Sequence, residues 1–599
     1  MNDVGLRLVP RESRPDSTLT TLTAPTAPTA PTSWVLRHVA DLDRLLHAIE
    51  GRATGGLSLA SLSLAFADWS IHLSNAPFKR LELAQAATRQ CHRLLDALRG
   101  AQVILPAAND HRFEDPAWHE FPFSVIHQTF LLAEEWWGWV SDGGRAVNRR
   151  DAQIVAFAIR QWIDVFSPSN APWLNPEVRR ATLESGGLNF VAGFRNWLHD
   201  VQETLSGVPS GRHGLTVGRD LAITPGQVVF RNELMELIQY APATATVRPQ
   251  PVLIVPAWIM KYYVLDLSPH DSLVRYLVGQ GHTVFMISWR NPGPGQRDAS
   301  LDDYRAKGFV PALDAVRAIT GEKKIHGCGY CLGGTLLAIT AAAMARDGDD
   351  RLASLTLFAA QCDFTEAGEL QLFVSESQLA FLEDLMSVQG YLDSRQMAGA
   401  FQMLRSNDLI WSRLVKSYLL GRTDVANDLM TWAADGTRLP ARMAGEYLRE
   451  LFLDDDLSEG RFEVEGKPVS IADIRVPIFA VGTEADHIAP WRSVHKIHLL
   501  NEGEVTFVLA SGGHNAGIVS EPSHPHRSYR VRHRPAGERY VGPVEWEALA
   551  ERHEGSWWPE WERWLSEHSG APTKPPPLGV PGRGYEVLDD APGRYVLEH

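Results

Sequence analysis

At 599 residues the chain exceeds one compact core and predicts two domains with extensions. Hydrophobic residues make up 44%, with 19 Trp and 22 Phe, enough for large globular cores, while a formal net charge of −15 argues against nucleic acid as the main partner. The Cys count of 4, at Cys91, Cys328, Cys331 and Cys362, is too low for a disulfide scaffold and points to a reducing compartment.

Residues 1–33 contain the run Thr23-Ala24-Pro25-Thr26-Ala27-Pro28-Thr29-Ala30-Pro31. So few large apolar groups cannot offset the entropy of ordering, so a disordered tail is predicted. The N-terminus lacks the charged-then-apolar pattern of a signal peptide, and no apolar run reaches the length of a transmembrane segment, so a soluble cytoplasmic protein is expected. Residues 34–215 have a mainly helical composition with a Trp cluster at Trp136, Trp137 and Trp139, and the polar stretch Ser206 to His213 marks a domain boundary.

From residue 216 to about 570 the pattern changes. Short apolar runs predict strands at Val252 to Val255, Thr283 to Ser288, Lys324 to Gly327, Leu355 to Phe358, Ile478 to Val481 and Val505 to Leu509. Helical stretches at Ser272 to Gln280 and Tyr304 to Ile319 alternate with them, which implies a parallel α/β sheet of the α/β-hydrolase type. Residues 364–450 interrupt the rhythm with helix-like, aromatic sequence of the length and place of a cap over an active site, or of an insertion without gating. Beyond Ser520 the chain is rich in Pro, Arg and Trp, including Trp557-Trp558-Pro559 and Trp561-Glu562-Arg563-Trp564, residues expected to pack onto the domain or to form a binding surface. Residues 571–599 form a C-terminal tail.

The stretch Gly329-Tyr330-Cys331-Leu332-Gly333 lies between a predicted strand and a predicted helix. This is the context of the nucleophile elbow G-x-S-x-G, with cysteine in place of serine. A thiol on such a turn points to acyl transfer through a thioester. The fold places the acid and then the base downstream of the nucleophile, each after a strand. Asp486 follows the strand ending at Val481 and His514 follows the strand ending near Ala510, so these two complete a candidate triad with Cys331. Glu484 and Asp363 are competing acids, but Asp486 is preferred because its strand immediately precedes the one that bears the histidine. His487 is expected to point away and His326 to be a core histidine. Cys328 and Cys331 also spell C-x-x-C, a redox pattern in another context, but the glycines around Cys331 fit a sharp turn better and leave Cys328 as an inert strand residue. An oxyanion hole needs two backbone N–H groups. Leu332 supplies one, and Ile259 or Trp258, after the strand ending at Val255, supplies the other.

Several stretches together resemble the class I poly(3-hydroxyalkanoate) synthases: Trp258-Ile259-Met260-Lys261-Tyr262-Tyr263, Ser288-Trp289-Arg290-Asn291-Pro292, the Cys331 elbow, Asn407-Asp408-Leu409-Ile410-Trp411, Asp486-His487-Ile488-Ala489-Pro490-Trp491 and Gly513-His514-Asn515-Ala516-Gly517. The resemblance implies Cys331 as nucleophile, Asp486 as acid and His514 as base, and it implies a substrate that spacing does not supply, (R)-3-hydroxyacyl-coenzyme A. The expected reaction is polymerisation to polyhydroxyalkanoate with release of coenzyme A. No cofactor is expected, because the coenzyme A thioester is itself the substrate. The expected partners are that substrate, a polyester granule surface, a second copy in a homodimer and granule-associated proteins. Granule association in the cytoplasm follows from the insoluble product. A cysteine-type thioesterase or hydrolase on the same scaffold is the competing function.

Overall fold

The structure, a computed structural model, describes residues 43–599 apart from 45, 52, 53, 55, 108, 109, 207–214, 395, 398–405, 407–409 and 424–426. The predicted disordered tail, most of the predicted domain boundary and the first three residues of the 407–411 motif lie outside the described residues.

The N-terminal part is helical: α1 (Leu59–Ser74), α2 (Pro77–Leu98), α3 (Phe123–Ser141), α4 (Arg149–Val165), α5 (Pro176–Ser185) and α6 (Leu188–Ser206). Their ends follow local chemistry. The Ser58 hydroxyl accepts from Ser61 N, and the Asn148 and Asn175 side chains accept from the first amides of α4 and α5, which satisfies donors that a helix start leaves free. Gly186 ends α5 at φ 59°, a conformation that costs glycine least. Between α3 and α4 the part-buried Arg112 guanidinium meets Asp110 at 2.8 Å, Asp164 at 3.0 Å and Glu134 at 3.2 Å, so the charge is paired on three sides.

The remainder is built on one sheet. In chain order its first half comprises β1 (Gly226–Arg231), β2 (Met235–Tyr240), β3 (Val252–Val255), helix α7 (Leu273–Gly279), β4 (Val284–Trp289), helix α8 (Val310–Thr320), β5 (Ile325–Tyr330), helix α9 (Leu332–Arg346) and β6 (Leu352–Phe358). Cap helices follow, among them α10 (Glu376–Gln389) and α11 (Ala441–Glu446). The sheet then resumes with β7 (Ile478–Thr483), β8 (Val505–Ala510), β9 (Ser528–Arg534) and β10 (Glu551–Glu554), and the chain continues through α12 (Trp558–Glu567) to β11 (Asp589–Asp590). The strand order is β10-β9-β8-β7-β6-β5-β3-β4-β2-β1-β11.

The six central strands, β4-β3-β5-β6-β7-β8, are mutually parallel. They are buried along almost all of their length, which explains the apolar runs of β3, β4 and β8, while β5 carries the glycines that lead into its turn. Both flanks are antiparallel, so the sheet is mixed where the sequence predicts a parallel one. β1 and β2 carry Gln, Arg and Glu, and β9 alternates Arg with Tyr, Val and His, so none of them stands out as an apolar run. Helix α12 lies on the sheet, with Trp558 and Trp561 fully buried and the Trp561 indole N–H donating to Thr356 Oγ1 in β6 at 3.0 Å. A buried indole removes roughly 150–250 Å² from water, about 4–6 kcal/mol at ~25 cal/mol per Å². Residues 571–599 run back across the domain, where Thr573 pairs with Val247 and β11 pairs with β1.

Between β6 and β7 the chain forms a layer over the carboxyl ends of the parallel strands. The 3₁₀ turn Gly368–Phe373, α10, α11 and the π-helical segment Tyr447–Leu453 belong to it. The N-terminal helices pack on this layer: α1 against α10, and α6 against the π-helical segment Leu414–Leu419.

Candidate active site

Cys331 sits in the turn between β5 and α9 with φ 53° and ψ −124°. A non-glycine residue in this region carries strain of about 1–3 kcal/mol, and the surroundings hold it there. Cys331 N donates to Phe358 O in β6 at 2.8 Å, and its carbonyl accepts from Gly334 N and Thr335 N, the first turn of α9. The neighbouring glycines are required by close backbone approach. A Cβ at Gly329 would lie 2.4 Å from Gly334 Cα, and one at Gly333 would lie 2.1 Å from Val255 O. Helix α9 is thereby pulled against β3 and β5, and the thiol is presented at the helix N-terminus, where the helix dipole favours negative charge.

His514 and Asp486 come from the loops after β8 and β7. The parallel register that sets Thr483 beside Ala510 brings the two loops together. His514 Nδ1 is 2.8 Å from Asp486 Oδ2. The second Asp486 oxygen accepts from Ile488 N at 2.9 Å and Ala489 N at 2.8 Å, and Thr483 Oγ1 donates to Oδ2 at 3.1 Å. Burial opposes ionisation of Asp486, but the His514 charge and these N–H groups outweigh it and hold the carboxyl below its ordinary value. Burial likewise opposes a charge on His514, yet Asp486 and Cys331 together raise the imidazole well above its ordinary value.

The competing residues weighed from the sequence are placed elsewhere in the fold. Asp363 is held by Lys496 at 2.9 Å and by Thr365 N at 3.0 Å. Glu484 and His487 are exposed. His326 is fully buried between Ser354 Oγ and Ser569 Oγ, and burial pushes it down to about 3. Cys328 is a free, fully buried thiol in β5, raised far above the usual range by burial, and Cys362 is pushed up to about 12.

A cavity of about 140 Å³ opens at Cys331. Its lining is mostly apolar: Leu332, Ile259, Ile488 and Ala489 on the sheet side, with Tyr447 and Phe452 from the cap. Leu332 is the first residue of α9, so its N–H has no carbonyl within the helix to meet. Of the two residues considered for the second oxyanion donor, Ile259 lines the cavity, while the Trp258 side chain is buried against Tyr304 and Tyr447.

Several contributors carry little signal in the sequence. Tyr330 OH donates to Asn515 Oδ1 at 2.5 Å, and its ring lies 5.6 Å from that of His514. Trp557 and Trp558 donate their indole N–H groups to Gly517 O and Ile518 O, each at 2.9 Å, and so anchor the His514 loop from below. Gly56 and Leu57, from the N-terminal part, also line the cavity. The Gln378 side chain in α10 holds that segment by accepting from Ser58 N at 2.8 Å and donating to Gly56 O at 2.5 Å. Only the amide bonds to Asp486 had a sequence cue, since Asp often accepts from the amides two and three residues on. Among the described residues, no group of three or more His, Cys, Asp and Glu side chains could hold a metal ion, and no helix is long and apolar enough to cross a membrane.

Fold and site together define an α/β-hydrolase-type domain with a thiol on its elbow, and residues 250–521 match the alpha/beta hydrolase fold family. Residues 109–277 match the family described as poly-beta-hydroxybutyrate polymerase (PhaC) N-terminus, and residues 37–79 match the poly-beta-hydroxybutyrate polymerase N terminal family. The chain is 41% identical over 500 residues to a poly(3-hydroxyalkanoate) polymerase of Methylorubrum extorquens, covering 82% of each chain. It is 37% identical to the polymerase subunit of Rhizobium meliloti, over 84% of this chain and 82% of that one, and 37% identical to that of Cupriavidus necator, over 82% and 83%. The chain belongs to the poly(3-hydroxyalkanoate) polymerase family.

Proposed function

We propose that this chain is an acyltransferase that polymerises (R)-3-hydroxyacyl-coenzyme A into polyhydroxyalkanoate through an acyl thioester on Cys331. The observation that carries the reading is the Cys331 thiol on an elbow, served by the His514–Asp486 pair and opening into a capped apolar cavity. Family membership supports the substrate class.

His514 takes the thiol proton, and the sulfur attacks the substrate thioester carbonyl. The carbonyl oxygen becomes an oxyanion facing the N–H groups of Leu332 and Ile259. The carbon–sulfur bond to coenzyme A breaks, and the departing thiolate takes the proton from His514. One thioester replaces another, so this step is close to isoenergetic. His514 next removes the proton from the 3-hydroxyl of a second acyl unit, and that oxygen attacks the Cys331 thioester. An oxoester forms, the Cys331 thiol is regenerated, and the lengthened chain, now ending in the second unit's coenzyme A thioester, is taken back onto Cys331 by the same exchange with release of coenzyme A. An oxoester is more stable than a thioester, so elongation runs downhill. Asp486 holds the imidazole in one tautomer and offsets its charge. Water would divert the acyl-enzyme to hydrolysis, and the cap, which leaves Cys331 only 9% exposed, limits its access.

Recruitment to the surface of cytoplasmic polyester granules belongs to the same reading. Trp162, Phe166 and Trp173 are 65%, 72% and 72% exposed on the N-terminal part, an apolar display suited to a polyester surface or to a second copy of the chain. Incubation with 3-hydroxybutyryl-coenzyme A tests the function: coenzyme A release accompanied by polymer supports it, and release accompanied only by free hydroxy acid identifies a thioesterase instead.

A further inference from the structure

The loop that follows β3 is gripped by the cap at the peptide that carries the candidate oxyanion donor. Thr437, 1% exposed, lies in the segment leading to α11. Its hydroxyl donates to Trp258 O at 2.5 Å, and its backbone N–H donates to Ile259 O at 3.1 Å. Both carbonyls flanking Ile259 are therefore taken by one residue. The adjacent cap residue Gly436 bridges Met260, and the Trp432 indole donates to Lys261 O at 2.8 Å.

The Trp258–Ile259 peptide is trans, so its C=O and N–H point in opposite directions. A hydroxyl that fixes the Trp258 carbonyl on the cap side fixes the Ile259 N–H on the other side. Without it the carbonyl would be buried and unpaired, and the peptide plane would be free to turn. Lys261 completes the brace on the far side. Its ammonium is buried and donates to the main-chain carbonyls of Glu598 at 2.6 Å and Tyr595 at 3.3 Å.

We propose that Thr437 is a positioning residue that aims the Ile259 N–H at the developing oxyanion, so that the seated cap completes the oxyanion hole. The proposal rests on Ile259 donating one of the two oxyanion hydrogen bonds. It makes the cap part of the chemical step as well as a wall of the cavity. The cap then acts mainly on kcat and little on KM, because an oxyanion exists only in the transition state.

The test compares Thr437→Val with the native chain in two reactions of the same thiol. Acylation by 3-hydroxybutyryl-coenzyme A, followed as the first-turnover release of coenzyme A, passes through an oxyanion. Alkylation by iodoacetamide displaces iodide at a saturated carbon and forms none. Thr437→Val keeps the shape and the backbone N–H and removes only the hydroxyl. The expected result is an acylation rate lower by about 10- to 100-fold, with KM within about threefold and the alkylation rate unchanged. Thr437→Ser restores most of the acylation rate. Equal acylation of Thr437→Val and native protein overturns the proposal. So does a parallel fall in acylation, alkylation and thermal stability that serine does not relieve, since that marks a purely structural role. A native chain that is never acylated overturns the functional reading instead.

Discussion

His514 Nδ1 and Asp486 Oδ2 stand 2.8 Å apart across two loops 28 residues distant in the chain. The carboxylate is oriented before it meets the imidazole, since Thr483, Ile488 and Ala489 take its remaining hydrogen-bonding positions. The imidazole therefore meets a fixed charge in a buried setting, where an ion pair is stronger than in water.

Replacing Asp486 with Asn removes the main interaction that opposes burial at His514. The histidine titration midpoint, followed by NMR of the labelled imidazole, is expected to fall from well above 6.5 toward or below that value. The linkage has a definite sign. A histidine raised in the fold stabilises fully below its unfolded value of about 6.5 and loses that contribution as pH rises through its folded value. Asp486, lowered in the fold, contributes above its ordinary 3.8 and loses that contribution as pH falls through its folded value. The native chain should therefore be more stable than Asp486→Asn between those limits. An unchanged His514 midpoint would exclude the pairing.

Gly333→Ala tests the packing that shapes the elbow. Its Cβ would lie 2.1 Å from Val255 O and 2.5 Å from Pro256 O, both backbone atoms that cannot swing aside. A loss of about 3 kcal/mol or more is expected, read as a lower urea midpoint. A midpoint equal to the native value would mean that α9 does not dock on β3 as described.

Gln378→Ala tests the link between the N-terminal part and the cap. It leaves Ser58 N and Gly56 O without their partner and costs about 1–3 kcal/mol locally. Faster hydrogen exchange at Ser58 and in the first turn of α1 is the expected readout, with a higher KM because Gly56 and Leu57 line the cavity. Unchanged exchange there would show that Gln378 does not hold the segment.

Much of this architecture was legible in the sequence. Buried parallel strands are apolar throughout, so β3, β4, β6, β7 and β8 stand out, and tight packing at the elbow leaves glycines in the sequence. The order of Cys331, Asp486 and His514 follows from the parallel sheet, which gathers the ends of β5, β7 and β8. The flanking strands escape because polar residues break the apolar run: Arg on the part-buried β9, Gln and Arg in β1, and the fully buried Glu236 and Gln239 in β2. Gln378 to Ser58 and Thr437 to Trp258 escape for another reason: they join residues 320 and 179 positions apart, and no local pattern encodes such a meeting. The choice of Asp486 over Asp363 rests on strand order in the sequence and on Lys496 in the structure, where that ammonium occupies Asp363.

The central claim is that Cys331 carries the growing acyl chain. The most direct measurement is the mass of the intact protein, and of its Cys331 peptide, after brief exposure to 3-hydroxybutyryl-coenzyme A and acid quench. The account predicts 3-hydroxybutyryl units on Cys331, their loss on treatment with hydroxylamine, and neither adduct nor coenzyme A release in Cys331→Ala. Coenzyme A release at the native rate by Cys331→Ala would contradict it.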